Sequence, residues 1–182
     1  MYEIRIHGRG GQGGVTTGQI MAIGSFYDGQ YCQTFPMFGV ERCGAPVLAF
    51  TRIDKKPIRI RSEVYEPDIA IVLDASLMKT VDVTKGLKKK GTIIINSNKT
   101  AKELGLKGNY NIHIVDATKI ALEIFKRPIV NTPMLGAFAK ITGLVTVKSL
   151  KKAVDEIFLK TKGPKLSDLN KKAIEAVYKA TE

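Results

Sequence analysis

The chain has 182 residues, 44% of them hydrophobic, and carries 29 Lys and Arg against 17 Asp and Glu, a formal charge of +12. That length and apolar fraction suffice for one sizeable core, and no run approaches the roughly 20 apolar residues that span a bilayer. Cys32 and Cys43 are too few and too far apart for a disulfide framework, a zinc knuckle or an iron-sulfur ligand set.

A β-like run from Tyr2 to His7 opens the chain without a basic and apolar leader, so a soluble, cytoplasmic protein is expected. The run breaks into a loop holding Gly8, Gly10, Gly11, Gly13 and Gly14, and an apolar helix pattern follows over Val15 to Tyr27. Residues 45–61, "APVLAFTRIDKKPIRIR", read as two strands joined by Asp54-Lys55-Lys56, a β-hairpin inserted after the first βα unit. "IAIVLD" leads into a helix-like "ASLMKTVDVTKGLKKK" closed by Gly91; "GTIIINS" is a further strand, and "NIHIVDA" leads into "TKIALEIFKR". Apolar strands alternating with helices predict an α/β fold, a three-layer domain with a largely parallel sheet. The last third is helical. "SLKKAVDEIF" sets Leu150, Ala153, Val154, Ile157 and Phe158 on one face, and "SDLNKKAIEAVYKA" does the same for Leu169, Ala173, Val177 and Tyr178, with Ser167 as its N-cap. No Pro- or Ser-rich linker divides the chain, so residues 1–182 are expected to form a single domain.

Gly8-Arg9-Gly10-Gly11-Gln12-Gly13 has the Rossmann-like G-x-G-x-x-G spacing, after a strand and before a helix. Glycines there let the backbone turn sharply and let a phosphate approach main-chain N–H groups at a helix N-terminus; a tight turn without a ligand is the alternative. An NAD site adds an Asp or Glu about 20 residues on, where this chain has "YCQTFP"; Asp28 comes too early, Glu41 lies in a later loop, and no Lys follows the glycines as in a P-loop. His7 reads as a satisfied strand histidine, Asp74 as a helix N-cap or a site residue at a strand's carboxyl end, and His113 as outward-facing. No catalytic or metal-ligating residue is assigned. The positive excess favours an anionic partner, but its scatter through "DKKPIRIR", "KGLKKKG" and the C-terminal helices is that of a solvated lysine surface.

"GRGGQGGVTTGQIMA", "TFPMFGVERCGAPVLAFTRI", "EPDIAIVLD", "GTIIINS" and "VNTPMLGAFAK", in this order along nearly the whole chain, resemble the gamma subunit of pyruvate:ferredoxin oxidoreductase and its 2-oxoacid relatives. The resemblance implies a heterooligomer. In it, alpha and beta subunits carry thiamine diphosphate, magnesium and the 2-oxoacid, a delta subunit carries two iron-sulfur clusters, and gamma helps hold coenzyme A. The complex decarboxylates the 2-oxoacid, reduces ferredoxin and forms acyl-CoA, acetyl-CoA where the substrate is pyruvate. The resemblance sets the coenzyme A phosphates against Gly11, Gln12, Gly13, Gly14 and Val15, with a basic contact from Arg42 and a polar one from Asn131. Asn131 as the cap of a helix at Thr132-Pro133, and Arg42 as an interface residue, remain alternatives. Many relatives carry a second Arg where this chain has Cys43. The rival readings are an NAD-dependent dehydrogenase, short of the ribose acid, and a basic nucleic-acid-binding protein, short of an aromatic platform; neither nucleic acid nor membrane is expected as a partner. The C-terminal helices and "TPMLGAFAKITGLV" predict apolar surface covered by partner subunits.

Overall fold

Ile4 and Ile6 of the first strand face one way and Arg5 and His7 the other, as the two-residue period of a strand requires. That strand, β1 (Tyr2–Arg9), sits inside the six-stranded sheet of the computed structural model, which describes residues 1–37 and 43–182. After it come α1 (Gly14–Tyr27), β2 (Tyr31–Pro36), β3 (Pro46–Asp54), β4 (Ile69–Val72), β5 (Thr92–Asn96) and β6 (Asn111–Val115). The remaining helices are α2 (Ala117–Phe125), α3 (Met134–Thr142), α4 (Val147–Lys162) and α5 (Pro164–Ala180). The sheet order is β2-β3-β1-β4-β5-β6. β1, β4, β5 and β6 are parallel, whereas β3 runs antiparallel to both β1 and β2. β2 therefore runs with β1, and α1 is the crossover between them with β3 slotted into the gap.

The five α-helices pack on one face of the sheet, where Ile4, Ile6, Ile69, Ile71 and Ile94 meet Ile20 and Met21 of α1, Leu135 and Phe138 of α3, and Ile174 of α5. Ala70, Val72, Ile93 and Ile95 point to the opposite face, which is closed by Val83, Leu87, Leu104 and Leu106 from irregular segments. The α/β fold with a mostly parallel sheet thus matches expectation, and its third layer is built of turns.

The predicted helix over 75–90 is only a 3-10 turn, Ala75–Lys79. Beyond it β-branched Val81, Val83 and Thr84 disfavour helix, the Asp82 carboxylate accepts from Thr84 N and Oγ1 at 2.9 and 2.6 Å, and Gly86 is left-handed at φ 73°. The predicted hairpin has different arms: β3 pairs with β2, Tyr31 opposite Asp54 through Pro36 opposite Ala49, and residues 57–61 form no strand. "YCQTFP" is uncharged and rich in strand-favouring residues, whereas "PIRIR" starts with a residue that has no N–H and carries two arginines that stay in water. Ser167 is not a cap. The helix starts at Pro164 after Gly163, and the buried Ser167 hydroxyl donates to Asp155 Oδ1 at 2.6 Å. The apolar run 132–145 is largely consumed by the chain's own core, with Met134, Leu135, Ala137 and Phe138 fully buried; it leaves no broad apolar face for partners.

Candidate functional site

The glycine loop is pinned at its start. Gly10 N donates to Ala45 O at 2.9 Å and Gly44 N to Gly10 O at 3.0 Å, continuing the pairing of β1 with the chain before β3. Gln12 N then closes a turn onto Arg9 O at 2.9 Å, and Gly11 and Gly13 take positive φ, 90° and 78°. Helix α1 begins at Gly14 with Gly13 as N-cap; among the described residues no side chain caps it, and no acid stands in its first turn. The first intrahelical bond runs from Thr17 N to Gly13 O at 2.9 Å. The N–H groups ahead of Thr17 lack intrahelical acceptors by the geometry of any helix, and together with the helix dipole they favour an anion. Gly11 and Val15 are exposed, Gln12 and Gly13 half-buried, and Gly14 buried.

Asn131 stands behind this loop. It is 8% exposed, its backbone O accepts from Thr17 Oγ1 at 3.3 Å, and its side-chain amide lies where a Cβ on Gly13 would be. The alternative reading of Asn131 as a helix cap falls away, because α3 starts at Met134 with Pro133 as its N-cap. The next residue, Thr132, is fully buried, and its Oγ1 has no hydrogen-bond partner among the described residues. Arg42 lies outside the described residues. Cys43 is exposed beside the loop, its Sγ 3.9 Å from Gly10 O.

A brace joins the loop to the turn after β4. Arg9 Nε and Gln12 Nε2 donate to Asp74 Oδ2 at 2.9 and 3.2 Å, Arg9 Nη2 donates to Ser76 Oγ at 2.9 Å, and Arg9 N donates to Gln12 Oε1 at 2.8 Å. Asp74 also caps the 3-10 turn by accepting from Ser76 N at 2.9 Å, so the N-cap reading of this residue holds. Partial burial opposes its ionisation, but the hydrogen bonds from Ser76, Arg9 and Gln12 outweigh it and hold the carboxyl below its ordinary value. His7 is buried and accepts from Arg5 Nε at 3.0 Å through Nε2, as a satisfied strand histidine. Burial first, then the Arg5 charge, pushes it down to about 3.

The loop opens onto a cleft of about 980 Å³ along the carboxyl ends of β4, β5 and β6, lined by Gln12, Asp74, Ser76, Asn96, Lys99 and Lys119 among others. Sequence reasoning passed over Arg9, Ser76 and Asn96. The signal for them was positional, since the carboxyl ends of parallel strands are where α/β folds place their sites. Asn96 ties two of those ends together: Nδ2 donates to Leu73 O and Thr118 Oγ1, both at 2.9 Å, and Oδ1 accepts from Thr118 N at 3.1 Å. Among the described residues, no group of three or more His, Cys, Asp or Glu is placed to hold a metal ion, and no helix is long and apolar enough to cross a membrane.

This geometry defines an α/β protein whose glycine turn delivers an uncapped helix N-terminus to the carboxyl edge of a mostly parallel sheet. The chain belongs to the pyruvate ferredoxin/flavodoxin oxidoreductase family, whose model matches residues 3–180. Pyruvate synthase subunit PorC of Methanocaldococcus jannaschii is 54% identical over 178 residues, 98% of this chain and 96% of that protein. The crystal structure of pyruvate oxidoreductase subunit PORC from Thermotoga maritima superposes with a TM-score of 0.85 at 36% identity, covering 100% of this chain and 97% of that one. The 2-oxoglutarate:ferredoxin oxidoreductase of Magnetococcus marinus, solved with 2-oxoglutarate, coenzyme A and succinyl-CoA bound, shares the fold at a TM-score of 0.79 and 19% identity; the match covers 98% of this chain and 31% of that one. The chain is thus a gamma-type subunit of a pyruvate or 2-oxoacid:ferredoxin oxidoreductase, and works as part of a multisubunit enzyme.

Proposed function

We propose that this subunit helps hold coenzyme A, with the phosphates set against the backbone from Gly11 through Gln12, Gly13 and Gly14 to Val15. The observation that carries the reading is the uncapped N-terminus of α1 at Gly13, an anion site by its backbone alone. The donor chemistry fits a polyphosphate: N–H groups and a positive chain, without the ribose-binding acid of an NAD site. The Magnetococcus enzyme, of the same fold over this region, is described with coenzyme A bound. Gln12 and Asn131 serve from within. Gln12 has its N–H on Arg9 O and its amide on Arg9 and Asp74, so it stiffens the loop, while Asn131 backs Gly13. Arg42 supplies the charge-assisted contact.

In this reading residues 1–182 act as one domain in a cytoplasmic complex with alpha, beta and delta subunits and ferredoxin. Thiamine diphosphate, magnesium and the iron-sulfur clusters belong to the partner chains, and decarboxylation takes place there. This chain's residues bind and orient the thiol carrier that accepts the acyl group.

The test is acyl-CoA formation by the assembled enzyme at varied coenzyme A and 2-oxoacid, for wild type, Arg42→Ala and Gly13→Val, with assembly checked first. Loss of a charge-assisted bond worth about 1.5–3 kcal/mol lowers coenzyme A affinity roughly tenfold to a hundredfold in Arg42→Ala, and Gly13→Val weakens it as well. The 2-oxoacid dependence stays unchanged. An unaltered coenzyme A dependence in intact complexes would falsify the assignment and leave the glycines as a structural turn.

A further inference from the structure

The segment "KKPIRIR", residues 55–61, carries four cations in seven positions and alternates isoleucine with arginine in the period of a strand. It nevertheless forms neither strand nor helix in this chain. β3, the strand it leaves, offers it no free edge, because it already lies between β2 and β1. Both ends of the segment are anchored. On one side Asp54 accepts from the N-terminal ammonium at 3.3 Å and from Lys56 N at 3.3 Å. On the other, Arg52, 1% exposed and paired to Glu3 at 2.8 Å, donates to Glu63 O at 3.1 Å, and Val64 and Pro67 are buried. Between these anchors the strap lies open: Lys55, Lys56, Pro57, Arg59, Ile60 and Arg61 are exposed, Ile60 at 45%, and only Ile58 is half-buried. Among the described residues, none of its four cations takes part in an ion pair. Beyond Asp54, the nearest acids in sequence, Glu63 and Glu66, are themselves exposed.

We infer that residues 55–61 are a docking strap for an acidic, strand-forming segment of a partner subunit in the oxidoreductase complex. Charge selects the occupant. Four unpaired cations attract an acidic surface and repel a second copy of this chain, which presents the same strap and a net charge of +12. The alternation selects the mode. Free backbone groups flanked by apolar residues at every second position suit strand addition, in which main-chain hydrogen bonds give affinity and side chains on alternate faces give specificity. Ile58 and Ile60 have no use for a phosphate backbone, which argues for protein over nucleic acid. Anchored ends limit the ordering cost that a free loop would incur on binding. The inference rests on family membership and is independent of the coenzyme A reading, whose loop lies elsewhere in the chain.

Two experiments on the complete complex test it. In the first, full-length Arg59→Glu/Arg61→Glu is titrated against the remaining subunits over a range of NaCl concentrations, with circular dichroism and thermal melting alongside. The fold and melting temperature stay as in wild type, because both side chains are in water. The apparent Kd rises at least tenfold at low salt, and the salt dependence of wild-type binding is largely lost in the variant. In the second, a benzoylphenylalanine at position 60 is photo-cross-linked in the intact complex and attaches to a partner segment rich in Asp and Glu. Binding of the double variant within twofold of wild type overturns the inference. So does a cross-link to nucleic acid or to a second copy, or one to no subunit at all. Complexes of the variant that still assemble at high protein concentration show wild-type coenzyme A dependence, which keeps this test separate from that of the glycine loop.

Discussion

A Cβ placed on Gly13 would lie 2.6 Å from Nδ2 of Asn131, in a residue whose φ of 78° already excludes most side chains. The glycine that opens α1 is therefore required twice, once by its own backbone and once by an amide from a distant part of the chain. Gly13→Ala costs about 1–2 kcal/mol for the left-handed backbone and a further 1–3 kcal/mol for the overpacked contact. In the background of Asn131→Ala most of the second part is relieved, since only the Cβ contact at 3.3 Å remains, so a double-mutant cycle read by urea unfolding gives a coupling of about 1–3 kcal/mol. Additive single effects would show that the amide does not press on the glycine.

Asp74 gives a pH-dependent prediction. Its folded carboxyl is held below the ordinary value by Ser76, Arg9 and Gln12 against the opposing effect of burial, so its contribution is present above the unfolded value of about 3.9 and is lost as pH falls through the lower folded one. Asp74→Ala is expected to cost about 1–3 kcal/mol at pH 7 through loss of the cap and the brace. The gap from wild type narrows as pH falls below the unfolded value and through the lower folded one. A difference that persists unchanged into acid would assign it to packing.

His7 acts over a different window. With Nε2 accepting from Arg5 and the imidazole pushed down to about 3, the folded protein keeps it neutral while the unfolded chain protonates it near 6.5. Stability is fully present above pH 6.5 and falls as pH drops toward 3, with a slope of up to about 1.4 kcal/mol per pH unit from this one proton. In His7→Gln that slope is reduced, which thermal melts between pH 4 and 7 measure directly. Parallel wild-type and variant curves would mean that His7 takes its proton in the folded state.

Gly136 in α3 sets how closely that helix approaches α5. A Cβ there would collide with Ile174 O and crowd Tyr178 N, both of them backbone atoms that cannot turn aside. Ala is the better helix former by about 1 kcal/mol, yet Gly136→Ala is expected to destabilise by about 1–3 kcal/mol, because the two helices must separate. A rise in the denaturant midpoint would show that α3 and α5 yield without cost.

The sequence by itself determined what local chemistry can settle. Runs such as "IAIV" and "TIIIN" became β4 and β5, the 3.6-residue faces of the last third became α4 and α5, and the spacing of glycines between a strand and an apolar helix marked the loop from Gly8 to Gly14. Each of these signals repeats within a few residues and needs no distant partner to be read. Only the tertiary structure decided what depends on contacts across the chain. "YCQTFP" became an edge strand because β3 offered it a partner, while the similarly spaced "PIRIR" was left unpaired. Gln12 met Asp74 across 62 residues and Thr17 met Asn131 across 114, contacts that tie the glycine loop to distant parts of the chain. The turns over 80–91 formed where helix was expected because the second face of the sheet is closed by Val83 and Leu87 from irregular backbone. Periodicity specifies which face of an element is apolar; the choice of neighbour follows from the packing of the whole chain, and no local pattern encodes it.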